Sequence, residues 1–164
     1  MTFDRMERWV KVSYKFASLY PVNSAEQFGS VITIQKLARF EHDIDVLEEE
    51  YRSKRSQGLS EVPGELDRIT TYSYLWVLGA YEIIRTLAQK TQHALHIKTR
   101  DEFARLRIPL AKLEPSKKHA SSDFAFPEPV FFSASHEVGW TLNPNLVMTR
   151  KQLSEALLES LEKS

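Results

Sequence analysis

Two histidines three residues apart, His93 and His96, could share one helical face and offer two imidazoles to a metal ion that found a third ligand. The same pair also suits the last turn of a helix, where imidazole meets the negative end of the backbone dipole. His42 with Asp45 and Glu49 forms a second same-face group, but it lies in an acidic run that reads as a solvated face. A carboxylate-bridged di-iron bundle needs Glu-x-x-His pairs. The residues three before the five histidines are Arg39, Lys90, His93, Ser116 and Ser133, so no such pair exists. The chain has no cysteine, which removes thiolate nucleophiles, disulfides and Cys-bound zinc or iron–sulfur clusters. Neither the Gly-x-Ser-x-Gly elbow of serine hydrolases nor a glycine-rich phosphate loop occurs. No metal and no cofactor are expected.

Glu82 and Arg85 are the most anomalous charges. They stand three apart among Tyr81, Ile83, Ile84 and Leu87, inside a segment that reads as buried. Charges at such depth need partners. They make either a polar binding pocket at the centre of the fold or an intrahelical pair that also ties in Arg39 or Arg105. A 3–5 kcal/mol penalty, of the order known for stranding one member of a buried pair, is the expectation for removing either residue. A second candidate is the basic stretch 98–118, with Arg105 and Arg107 among seven basic residues against three acidic ones. It runs through Lys117, Lys118 and His119 towards Phe124 and Phe126. Cations beside aromatic rings can track phosphates and stack bases. The alternative is that this helix packs beside the acidic run 39–51 and neutralises it.

Architecture alone brings to mind the HEPN ribonucleases, helical bundles whose active site is an Arg, four to six intervening residues and then a His, but the residues of this chain do not carry that resemblance. Here seven residues separate Arg85 from His93, which departs from the pattern and takes the pair off the required face.

Elements must hold these residues in place, and their limits are marked. Ser24–Gln27, Thr99–Glu102 and Thr149–Gln152 are capping-box patterns that start helices. The first begins a long helix with Leu37, Phe40, Ile44, Leu47 and Tyr51 in one stripe. A second helix runs from about Glu65 to about His93. It is apolar nearly all round, hence central, with Ser73, Gly79 and Ala80 leaving room for a neighbour. The third follows Thr99, carries Phe103, Leu106, Leu110 and Leu113, and should kink or break at Pro109. The last uses Leu153, Leu157 and Leu161. Residues 130–134 and 138–142 read as a hairpin, with Leu146–Met148 as a third short strand. Residues 9–17 alternate Val10, Val12, Tyr14 and Phe16 with polar residues and predict a half-buried strand. A helix through Met6, Val10 and Ala17 fits nearly as well.

The fold class is therefore mainly α (α+β): an antiparallel helical bundle with a small antiparallel β-sheet near the C-terminus, one domain over 1–164. Twenty-two basic and 22 acidic residues cancel, which argues against a protein coated in basic surface for nucleic acid. The longest run without a charge, Ile69–Tyr81, is 13 residues, short of the roughly 20 that a bilayer span needs. With no apolar leader at the start, a soluble cytoplasmic protein is expected. Trp9, Trp140, Phe124, Phe126, Phe131 and Phe132 lie mostly outside the three long helices read from the sequence and should leave apolar surface for a homo-oligomer interface. These features point to a non-enzymatic binding or assembly protein that self-associates. The alternative is a nucleic-acid-binding protein or HEPN-like ribonuclease using the basic third helix.

Overall fold

The computed structural model describes residues 3–58, 64–132 and 137–164. The chain runs α1 (Phe3–Ala17), α2 (Ala25–Ser56), α3 (Glu65–Thr91), α4 (Ala94–Lys112), a 3₁₀ turn (Lys117–His119), β1 (Glu128–Phe132), β2 (Glu137–Asn143), β3 (Leu146–Thr149) and α5 (Arg150–Glu162). It is a mainly helical fold with a three-stranded antiparallel sheet at its C-terminal end.

Residues 9–17 are helix, not strand. Trp9, Val12, Ser13, Phe16 and Ala17 are buried at helical spacing, while Tyr14, central to the alternating pattern, faces solvent. The 3.6-residue period wins because Trp9 needs both an apolar bed and a partner for its indole N–H. Trp9 donates to Glu41 of α2 at 2.7 Å, and Gln35 of α2 donates to Ser13 at 3.2 Å, so α1 and α2 run antiparallel. α2 and α3 run antiparallel too: Lys54 pairs with Glu65 at one end, and Leu37 lies against Gly79 further along.

The three capping signals have different fates. At α5 the box is complete, with Thr149 and Gln152 each bonding the other's backbone. At α2 the Ser24 hydroxyl caps Gln27 N–H, but the Gln27 side chain accepts from Asn23 rather than Ser24. The Thr99 box does not form. α4 starts six residues earlier, with the His93 ring accepting from Leu95 N–H, and Thr99 is buried inside the helix with its hydroxyl 2.8 Å from that of Ser160. Nor does Pro109 break α4. The helix continues to Lys112 and stops one turn later, where Leu113 turns left-handed (φ 59°) and bonds back to the Pro109 carbonyl.

β1 and β2 pair with Val130 opposite Gly139, as the hairpin reading requires, and β2 pairs with β3 through Trp140 opposite Met148. The turn between β1 and β2 lies outside the described residues. One cluster of buried residues draws on all five helices and β2, with Trp9, Ile34, Trp76, Phe103, Val138 and Leu157 among its members. α3 touches α2, α4, α5 and β2, as a central element must. It is not apolar-buried all round, however. Thr71, Leu75, Gly79 and Glu82 form an open seam down one side.

Candidate functional site

The densest chemistry in the fold is one that the acidic run concealed. Glu41, Asp45 and Glu48 fall at helical spacing on one side of α2, and two of them, Glu41 and Glu48, are almost fully buried. Arg150, the first residue of α5, is completely buried against them. It donates to Asp45 at 2.6 Å and to Glu48 at 2.9 Å, and its other terminal nitrogen lies 3.6 Å from Glu41. Burial works against the guanidinium's charge, but Glu48, Asp45 and Glu41 outweigh it and raise the Arg150 pKa. Glu41 also accepts from Arg5, Trp9 and Ser154, and Glu48 accepts from the Val138 backbone of β2. Charges thus join α1, α2, α5 and the sheet at one buried node.

This node overturns the pairing of the acidic run with α4. The carboxylates that turn inward are met by Arg5 of α1 and Arg150 of α5. A sign of it was present in the sequence: Glu41 and Glu48 continue the seven-residue progression Leu37, Ile44, Tyr51 that marks the buried side of α2.

Glu82 and Arg85 do come together, but at the surface. Arg85 bonds Glu82 at 2.7 Å with both side chains about half exposed, 40% and 52%, and its second contact is Gln89 on the same helix. Neither Arg39 nor Arg105 joins them. The pair is not buried, because it falls on the open seam of α3, and the large penalty expected of a buried pair is withdrawn. Changing either residue to alanine should lower stability by no more than about 0.5 kcal/mol, the usual scale of an exposed i,i+3 pair. Denaturant titration of the two variants checks this. A loss above about 2 kcal/mol would contradict the surface placement.

Arg105 and Arg107 lie on α4 and have separate partners. Arg105 makes two bonds to Asp123, at 2.7 and 2.8 Å, and holds that carboxyl well below its ordinary range, at about 2. Asn143 and Ser122 also bond Asp123, so this cluster fastens the loop before the sheet to α4. Arg107 lies over the Tyr81 ring, 5.1 Å from its centre.

His93 and His96 stand with ring centres 4.9 Å apart, but His93 caps α4 while Arg85 sits on α3. His96 is buried. The Thr91 hydroxyl donates to Leu87, which leaves its oxygen to accept from His96 Nδ1–H at 2.6 Å. Burial chiefly, with help from His93 and Lys15, pushes the His96 pKa down, opposed by the Ser160 backbone, which can accept only from the protonated ring. The sign follows. The unfolded chain, with an ordinary pKa near 6.5, binds a proton that the folded chain resists. Stability is complete above that value and falls as pH drops below it. Melting temperature should fall between pH 7 and 5 in the wild type and fall less in His96→Gln. Equal slopes would exclude His96 as the cause.

Among the described residues, no group of three or more His, Asp or Glu is placed to hold a metal ion, and no helix is long and apolar enough to cross a membrane. The aromatic residues expected to leave apolar surface are divided between core and surface. Trp9 and Trp140 are buried and Phe131 packs edge-on against Tyr51, while Phe124 and Phe126 are exposed; the Phe132 side chain lies outside the described part of the chain.

A further exposed apolar face lies on the N-terminal half of α2. Ala25, Phe28, Gly29 and Ile32 follow one another around its outer side, with Phe28 57% and Ile32 52% exposed. Beside them a groove of about 360 Å³ opens between α1, α2 and α3, lined by Phe16, Gly29, Ile34, Gly79 and Ile83 and rimmed by Glu26 and Glu82. The Ser30 and Thr33 hydroxyls donate back to their own helix, as does that of Thr86 on α3. Those groups therefore have their donors already engaged.

No family model, curated protein or solved structure matches this chain.

Proposed function

We propose that this protein is a non-enzymatic binding and assembly protein that pairs with a second copy of itself through the outer face of α2. The observation that carries this reading is the run Ala25, Phe28, Gly29, Ile32. Two large apolar side chains and two small residues alternate on an exposed helical face. Small residues one turn apart let a second helix approach closely, and large neighbours then fill the flanks. Gly29 is informative here. In a helix interior glycine costs roughly 0.5–1 kcal/mol relative to alanine, yet an added Cβ at this position would meet nothing within 4 Å. Packing inside the chain does not require it, whereas close approach by a second helix would.

Charge selects a second copy as the occupant. Glu26 and Lys36 bracket the apolar run and have no ion-pair partner among the described residues. Two α2 helices crossing antiparallel about a two-fold axis near Val31 would bring Glu26 of each to Lys36 of the other. Such an isologous contact closes on itself and makes a dimer rather than a fibre. The groove beside Gly29 would receive the other copy's Phe28 ring. The densest charge cluster supports a non-catalytic reading, since Arg150 and its carboxylates are spent on joining helices. Light scattering at micromolar concentration should give twice the chain mass of 19.0 kDa. A monomer across the micromolar range would overturn the proposal.

A further inference from the structure

Positive charge on α4 and the segment after it is spent unevenly. Lys98 pairs with Glu102, Arg100 with Asp101, Arg105 with Asp123, and Arg107 lies over Tyr81. Lys118 pairs with Asp101 as well. Lys112, Lys117 and His119 have no carboxylate partner among the described residues, and all three border one concavity of about 270 Å³. Ala104, Ile108 and Pro115 contribute its apolar lining. Two carboxylates line it as well: Asp101, which is already bonded by Arg100 and Lys118, and Glu114, which offsets one of the free cations.

We infer that this concavity binds a small molecule carrying a phosphate monoester, its phosphate between Lys112, Lys117 and His119 and its apolar body against Ala104, Ile108 and Pro115. Three cationic or imidazole side chains bordering one concavity suit a dianion with three terminal oxygens. The volume lies just below the usual range of small-ligand pockets, roughly 300–1,000 Å³, which suits a compact ligand about the size of a mononucleotide. A nucleic-acid strand needs something different, a track of free cations that follows successive phosphates. The cations that would extend such a track, Lys98, Arg100, Arg105 and Arg107, are already held by carboxylates or a ring. The site lies on α4 and the following 3₁₀ turn, away from the α2 face, so it stands whether or not the chain self-associates.

Isothermal titration at low salt with adenosine monophosphate, inorganic phosphate and adenosine tests the inference. Adenosine monophosphate should bind, inorganic phosphate more weakly, and adenosine not measurably. The double variant Lys112→Glu with Lys117→Glu should weaken the nucleotide at least tenfold with its melting curve unchanged, since both side chains are exposed. Lys163→Glu, a charge reversal at the end of the chain, should leave affinity unaltered. The inference is overturned by an absence of binding at millimolar nucleotide, by adenosine binding equally well, or by an affinity that ignores the double variant. It also falls if a single-stranded 12-mer binds in a Lys112- and Lys117-dependent way that adenosine monophosphate does not compete with. That result would assign the patch to a strand.

Discussion

Replacing Arg150 with methionine is expected to remove about 3–5 kcal/mol of folding stability, the scale of breaking a buried ion pair from one side. At this chain length that corresponds to a fall in melting temperature of about 6–20 °C. The reason is what remains. Glu41 keeps Arg5, Trp9 and Ser154, but Glu48 keeps, among the described residues, only the Val138 N–H at 3.2 Å and the half-exposed Lys151 at 3.5 Å. A nearly buried carboxylate would be left without its principal counter-charge. Arg150→Lys should recover only part of the loss, because one ammonium cannot span carboxylates that the planar guanidinium bonds from fixed directions. Adding Glu48→Gln to Arg150→Met should recover more, since the amide oxygen can still accept from Val138 while the stranded charge is gone. Thermal melts of the wild type, both singles and the double variant read this directly. Strong non-additivity is the expected result. A methionine variant that melts within about 2 °C of wild type would show that the node does not hold the fold together, and would make it the first place to seek a ligand.

How much of this was readable beforehand differs from element to element, for physical reasons. The Thr149 box and the β1–β2 hairpin are local: hydroxyl, amide and alternation lie within a few residues, and they form as their spacing requires. The stripe from Leu37 to Tyr51 is a single helical period and needs no partner to be seen. Residues 9–17 satisfied two periods at once, and only the tertiary partner of Trp9 decided between them. Thr99 had the residue types of a cap but lay one turn inside a helix that His93 began, because Thr99 finds its partner in Ser160 of α5. Glu82 and Arg85 were misplaced for a related reason. Apolar residues on every side of a helix suggested complete burial, yet one seam of α3 is open to solvent, and the charges sit there. The buried node was the hardest to see. The positions of Glu41 and Glu48 in the buried progression of α2 were visible, but their counter-charge is about 100 residues away in the chain. Nothing local connects Glu48 to Arg150.

The double variant Phe28→Glu with Ile32→Glu should convert the proposed dimer to a monomer while leaving the fold intact. Each side chain is already close to half covered in the single chain. Pairing would therefore gain at most about half of the roughly 1.5–3 kcal/mol for full burial, per side chain. Four such side chains across a two-fold axis contribute about 3–6 kcal/mol together. At about 1.4 kcal/mol per tenfold, losing them weakens association at least a hundredfold, before any repulsion between glutamates facing each other. Folding should hardly register the change, because exposed substitutions stay within about 0.5 kcal/mol and glutamate is a good helix former. Gly29→Ala separates the two effects in a single residue. The added methyl meets nothing within 4 Å inside the chain, so the α2 helix should gain roughly 0.5–1 kcal/mol as backbone freedom is lost from the unfolded state. At a close helix crossing the same methyl pushes the two copies apart. Melting temperature should therefore rise at concentrations where the protein is a monomer, while the dissociation constant also rises. Analytical ultracentrifugation with melts at low and high protein concentration gives both numbers. If Gly29→Ala stabilises the chain and leaves association unchanged, and the glutamate pair leaves mass unchanged as well, then the α2 face is not the interface.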